Sequence, residues 1–158
     1  TDRFSKIGSQ PELSDLNLDQ TISRTADYLS TRLGKKISLT TKLEIESNVQ
    51  HNRQLISWVL ENMIKNAADA LEGKGEISIR KETAAAEVHL FIRDNGKGIP
   101  ANDQRKIFQP GFTTKSRGWG LGLSLAKRII EDYHQGKVVL VESGTHVGTT
   151  FKITLPKA

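Results

Sequence analysis

The chain has no cysteine among its 158 residues. Neither a disulfide framework nor a thiolate metal site is therefore available, and a reducing cytoplasm is allowed. No apolar run approaches the roughly 20 residues a membrane-spanning helix needs, and no signal-peptide pattern opens the sequence. Despite a net charge of +5 there is no block of like charge. That balance is compatible with an anionic ligand but gives no reason to expect nucleic-acid binding. Internal repeats and low-complexity segments are also missing. What remains, 36% apolar and 26% charged residues, is the composition of one folded, soluble domain able to bury a core.

The most informative stretch is Arg93-Asp94-Asn95-Gly96-Lys97-Gly98-Ile99-Pro100. Upstream of it, Val88, Leu90 and Ile92 alternate with His89, Phe91 and Arg93, the period of a half-buried strand. Asp94 continues the apolar parity, so its carboxylate is expected to point inward, where it must meet donors. Two glycines one residue apart then free the backbone to turn and let a ligand come close. A carboxylate beside bare backbone suits a flat ring offering an exocyclic amine, although a strand end with an Asn-Gly turn has the same letters.

Earlier in the chain, Phe4 and Ile7 read as the end of a preceding helix, broken by Gly8 and Pro11. The abrupt start is that expected of a piece of something longer, with residues 1–12 as a tail or linker and 13–158 as the domain. Leu13, Leu16 and Leu18 begin a short extended piece. Asp19 is the expected cap of a helix carrying Ile22, Ala26, Leu29 and Leu33, closed by Gly34. Alternation from Ile37 to Ile45 predicts a strand.

The strongest helical pattern runs from about Arg53 to Leu71, with Ile56, Val59, Leu60, Met63, Ala67 and Leu71 on one face. Asn62 and Asn66 leave one side of it, on the border between core and solvent. Asparagine is a poor mid-helix residue because its amide competes with the backbone. The two are either solvated or cross-bonded amides, or two carbonyl oxygens aimed at a hard cation such as magnesium, which takes few protein oxygens alongside phosphates. Beyond the Gly73-Lys74-Gly75 turn, a hairpin with its loop at Thr83–Ala86 leads into Asp94. A short helix or turn spans Asp103–Phe108, followed by a loop containing Lys115 and Arg117.

That loop ends in Gly118-Trp119-Gly120-Leu121-Gly122-Leu123, which opens a helix with Leu125, Ala126, Ile129, Ile130 and Tyr133. Alternating glycines leave N–H groups unshielded at the helix's positive end, a seat for phosphate. The spacing is not that of the dinucleotide fingerprint, and no Walker-type loop is present. A final hairpin, Lys137–Val141 and Thr149–Leu155, turns around Gly144 and Gly148. Helices among mostly antiparallel-looking strands predict an α+β two-layer sandwich with helices on one face.

In order along the chain, these segments resemble the ATP-binding catalytic domain of sensor histidine kinases, a member of the GHKL (Bergerat-fold) ATPase family. Glu61-Asn62-Met63-Ile64-Lys65-Asn66-Ala67 resembles the N box, and Asp94–Pro100 the first glycine box. Ile107–Phe112 resembles the F box, Gly118–Leu123 the second glycine box, and Gly148-Thr149-Thr150-Phe151 the closing element. A short lid and the Thr113-Thr114-Lys115 run are similar to the nitrogen-regulation branch. The resemblance covers nearly everything after Leu13 and implies a Bergerat fold with a mixed, mostly antiparallel sheet.

It also implies roles. Asp94 would accept from the adenine amine, with Gly96, Gly98 and Ile99 close by and Thr149 behind. Asn66 and Asn62 would hold Mg2+ against the triphosphate. Gly118, Gly120 and Gly122 would receive phosphates, with Leu121 and Leu123 also at the ATP site, and Lys115 would pair with a phosphate, its alternative being a solvated loop cation. The implied cofactors are ATP, as substrate, and Mg2+. Asp69 stands where many of these kinases have a lysine, so the phosphate charge falls to Lys65, Lys115, Arg117 or magnesium. Trp119 replaces a commoner small residue.

Relatives such as DNA gyrase carry a water-activating glutamate four residues before the N-box asparagine, where this chain has Asn62. An amide cannot take a proton from water, whereas imidazole is already a nucleophile and needs mainly positioning and charge neutralisation. The residues therefore suit transfer to histidine better than hydrolysis, a binding-only nucleotide module being the third reading. His51, His89, His134 and His146 are each expected at the surface, and none opens an H-box pattern. The phosphoacceptor is expected on a separate dimerisation domain, through which a response regulator is reached. The domain is expected in the cytoplasm without membrane contact, in a parent protein that could itself be membrane-anchored.

Overall fold

A computed structural model describes residues 11–111 and 122–157. In chain order the elements are β1 (Ser14–Asn17), α1 (Leu18–Ser30), β2 (Ile37–Lys42), β3 (Asn48–His51), α2 (Arg53–Leu71), β4 (Gly75–Thr83) and β5 (Glu87–Asp94). Then come α3 (Gly122–Arg128), widening into a π-type turn over Ile129–Tyr133, β6 (Lys137–Gly144) and β7 (Gly148–Pro156). The large sheet has the order β2-β4-β5-β7-β6, while β1 and β3 form a separate pair. Among the described residues only β2 and β4 run parallel. The expected α+β sandwich with a mixed, mostly antiparallel sheet is what the chain adopts.

Period-two alternation gives the sheet one buried face. Ile77 and Ile79, then Val88, Leu90 and Ile92, then Phe151, Ile153 and Leu155 all join one core with Ile56, Leu60, Met63 and Ile64 of α2. Leu60 and Ile64 are fully buried, each contributing about 1.5–3 kcal/mol relative to exposure. The other face keeps Arg80, Arg93, Val139 and Val141 exposed. Asn52 caps α2 by accepting the Leu55 N–H at 3.0 Å. At the far end Glu72 turns left-handed with φ 55°, and the chain enters β4.

Several expectations are corrected by contacts distant in sequence. The cap of α1 is Asn17, which accepts from Gln20 N. Asp19 lies inside the helix and instead receives the Lys81 ammonium at 2.7 Å, with Lys81 fully buried and also donating to Ile45 O and Ser47 Oγ. Helix α1 stops at Ser30, short of Leu33 and Gly34, and strand β2 stops at Lys42, leaving Ile45 76% exposed. His51 and His134 are not surface residues: they are 0% and 2% exposed. His51 bonds Thr21 Oγ1 and Val49 O, both at 2.8 Å, and His134 Nε2 accepts the Asn52 N–H at 3.1 Å. Burial lowers both imidazole pKa values from 6.5.

Strand β6 carries a bulge. Leu140 pairs with Phe151 and Glu142 with Thr150, so Val141 has no partner of its own in the ladder. Up to Leu140 the even-numbered side chains face the core; beyond Val141 the odd-numbered ones do, which turns Ser143 inward opposite Thr149.

Candidate functional site

Asp94 closes β5 on the inward parity and is 5% exposed. Its Oδ1 accepts the Gly96 N–H at 2.8 Å. Burial pushes its carboxyl pKa upward, against the opposing pull of the Gly96 and Thr149 backbone bonds and of Arg93. Across the ladder stands Thr149, 4% exposed. The Thr149 hydroxyl lies 2.8 Å from Ser143 Oγ, which also accepts the Ile99 N–H at 2.8 Å. Gln104 Nε2 closes the group by donating to Ile99 O at 2.9 Å and Ser143 O at 3.3 Å.

The glycines after Asp94 seat the chain against itself. A Cβ on Gly96 would stand 2.6 Å from Ala70 O, the carbonyl that accepts Lys97 N–H at 3.1 Å. The box is thereby tied to the last turn of α2. Gly98 has φ +79°, and a Cβ there would stand 2.5 Å from Gly144 O. Ile99 and Phe108 pack on the core rim, Phe108 edge-on to Phe151 with ring centroids 6.0 Å apart.

On α2, Asn62 and Asn66 are half-buried at the core's border. The Asn62 carbonyl oxygen lies against Gly122, so that a Cβ there would require the amide to turn aside. The start of α3, with Gly122 and Leu123, is thus held beside the asparagine stripe. Lys65 ion-pairs with Glu61 at 3.0 Å on the helix exterior. Among the described residues no three His, Cys, Asp or Glu side chains cluster as a metal cage. Neutral amide oxygens suit Mg2+ that keeps waters and arrives with phosphates. Lys115, Arg117, Gly118, Trp119, Gly120 and Leu121 lie outside the described residues.

On this rim Asn62 sits beside Gly122 at the end of the second glycine box, and the first glycine box is tied to the last turn of α2, to Gly144 and to the Gly148–Thr149 element. Sequence reasoning missed Ser143 and Gln104. A serine two residues past the expected end of a strand gives no signal until the bulge is seen.

Residues 51–158 match the model of the family described as histidine kinase-, DNA gyrase B-, and HSP90-like ATPase, and the chain belongs to that family. Over 144 residues, 90% of the chain, it is 35% identical to sporulation kinase A of Bacillus subtilis (strain 168), spanning 23% of that protein's length. The nucleotide-free catalytic domain of histidine kinase ThkA superposes with a TM-score of 0.84 at 33% identity, covering 93% of this chain and 97% of that one. ThkA in complex with response regulator protein TrrA gives 0.79 at 30% identity, covering 92% and 42%. Within the family, then, the chain is of the sensor-histidine-kinase catalytic type. Among the described residues no helix is long and apolar enough to cross a membrane.

Proposed function

We propose that this domain binds Mg-ATP along that rim and passes the terminal phosphoryl group to a histidine on a separate dimerisation domain of its parent protein. The observation that carries the reading is Asp94, a buried carboxylate with Thr149 beside it and a glycine-bounded turn in front. The Asp94 oxygen not engaged by Gly96 accepts the adenine amine. Asn62 and Asn66 would hold magnesium through their amide oxygens, and the ion would supply charge neutralisation at the phosphates. The imidazole lone pair then forms the P–N bond as the P–O bond to ADP breaks and its electron pair leaves with ADP; the imidazole proton is released to solvent.

Hydrolysis is disfavoured because Asn62 occupies the position of the water-activating carboxylate, while Glu61 is turned outward to Lys65. The acceptor lies elsewhere because His51 and His134 are sealed in the core, His89 is held by Thr154 at 2.9 Å and His146 sits in a turn with φ 69°. A response regulator is reached through the dimerisation domain, and the site works in the cytoplasm. The test is calorimetric titration with ADP and a non-hydrolysable ATP analogue, with and without magnesium, followed by phosphotransfer to a supplied dimerisation domain. Saturable binding and labelling of that domain's histidine are expected. Binding without transfer would leave a sensing module, and labelling of one of this chain's own histidines would overturn the division of labour.

A further inference from the structure

We propose that the open face of the large sheet is a docking surface for an acidic, partly apolar protein segment. Each strand sends alternate side chains to that face, and the register lines them up in rows. One row crosses the whole sheet: Lys42 pairs with Arg80, Arg80 with Phe91, Phe91 with Lys152, and Lys152 with Val139. Arg93, on the same side of β5 as Phe91, adds a further cation. A groove over this face counts Lys42, Arg80, Phe91, Arg93, Val141 and Glu142 among its lining residues.

Lys42 and Arg80 stand side by side, and directly paired like charges are destabilising. Arg80 ion-pairs with Glu82, but among the described residues Lys42, Arg93 and Lys152 make no ion pair. Carboxylates arriving from outside would relieve that repulsion, since guanidinium groups take them in bidentate fashion and ammonium groups attract them as point charges. On the β6 side the surface turns apolar, with Val139 and Val141 41% and 52% exposed. This mixture is what decides the occupant. A nucleic-acid strand uses free aromatic faces for stacking, and here the Arg80 guanidinium already stands over the Phe91 ring, 4.3 Å from its centroid. A protein segment with carboxylates at one end and apolar side chains at the other matches both halves of the row. Arg93 and Thr150 are paired on the open face while Asp94 and Thr149, next along the same strands, face inward. Nucleotide and partner therefore occupy opposite faces, and the docking surface does not depend on the nucleotide-binding reading.

Strand spacings of about 4.8 Å make the row about 19 Å wide, a length that about 13 helical residues cover. The test titrates a synthetic helical Glu/Leu peptide of about that length into this chain, labelled for amide NMR. The comparison probes are the same peptide with Gln for Glu, an oligothymidylate and phosphatidylserine vesicles. Saturable binding of the Glu peptide is expected, with amide shifts confined to the open face and affinity falling as salt rises from about 50 to about 200 mM. Arg80→Gln/Arg93→Gln should weaken it roughly 10-fold, and Arg80→Glu/Arg93→Glu should turn the preference toward a Lys/Leu peptide. Lys42→Glu should raise the urea midpoint by removing a repulsion and still weaken the peptide, a trade that a merely solvated face would not show. Should the double variants fail to fold, Lys152→Gln carries the same comparison. Equal affinity for the Gln peptide, shifts away from the open face, or no binding by about 1 mM overturns the proposal. Tighter binding of the oligonucleotide or the vesicles overturns it in favour of that partner.

Discussion

Asp94→Asn should separate binding from folding. An amide oxygen can still accept the Gly96 N–H that Asp94 Oδ1 now takes at 2.8 Å, so the turn is kept. The remaining position becomes an NH2 group, which faces the adenine amine donor to donor. Losing one charge-assisted hydrogen bond costs about 1.5–3 kcal/mol, which is roughly 10- to 150-fold in ADP affinity. Stability without nucleotide should move the other way. Burial raises the Asp94 pKa above 3.8, so the folded state binds this proton more readily than the unfolded state. Above both pKa values the two states are ionised and the folded one carries the desolvation penalty. As pH falls through the folded pKa toward 3.8, the folded state takes up its proton first and the penalty is relieved. The variant should therefore be as stable as the parent or more so near pH 7, with the difference shrinking over that acid window. Calorimetric titration with ADP and urea unfolding between pH 7 and 4 measure the two halves. Affinity within threefold of the parent would refute the role in base binding. A loss of more than about 2 kcal/mol of stability without nucleotide would refute the account of the buried charge.

Gly98→Ala places a Cβ at φ +79° and 2.5 Å from Gly144 O, whereas Gly111→Ala at φ +87° meets open space. Urea midpoints should report a loss of about 1–2 kcal/mol for Gly111 and more for Gly98, with nucleotide binding weakened only by Gly98→Ala. Lys81→Met strands Asp19 beside an apolar side chain and should destabilise by about 3–5 kcal/mol, much of it recovered in Asp19→Leu/Lys81→Met; equal stability of the single and double variants would exclude this. His51 and His134 have folded pKa values below 6.5, so their contribution is fully present above pH 6.5 and is lost as pH falls from there toward the folded values. His51→Gln/His134→Gln should flatten the urea midpoint between pH 7.5 and 5.5. Asn66→Ala should remove the magnesium-dependent gain in affinity for an ATP analogue and leave its magnesium-free affinity near that of the parent.

The sequence alone determined those features that repeat locally. The apolar face of α2 specified its span from Arg53 to Leu71, because side chains at helical spacing report the period without knowing what they pack against. Strict alternation likewise located the β4–β5 hairpin and placed Asp94 on the inward face, since a strand's parity is carried along its length. The asparagine stripe and the glycine boxes were legible for the same reason: each is a local spacing of chemically distinct residues.

Only the tertiary structure decided what depends on partners far along the chain. Asp19 reads as a cap, but its carboxylate is claimed by Lys81, which is 62 residues away. His51 and His134 are polar in any sequence reading, and become core residues because Thr21 and Asn52 satisfy their ring nitrogens. Gly96 and Gly98 look like room for a ligand, yet the carbonyls of Ala70 and Gly144 occupy the space a Cβ would take. Ser143 enters the site through one extra residue in β6, which reverses the face of everything after it. Strand parity is local, but a bulge exists only relative to the strand it pairs with, and no spacing within β6 announces it.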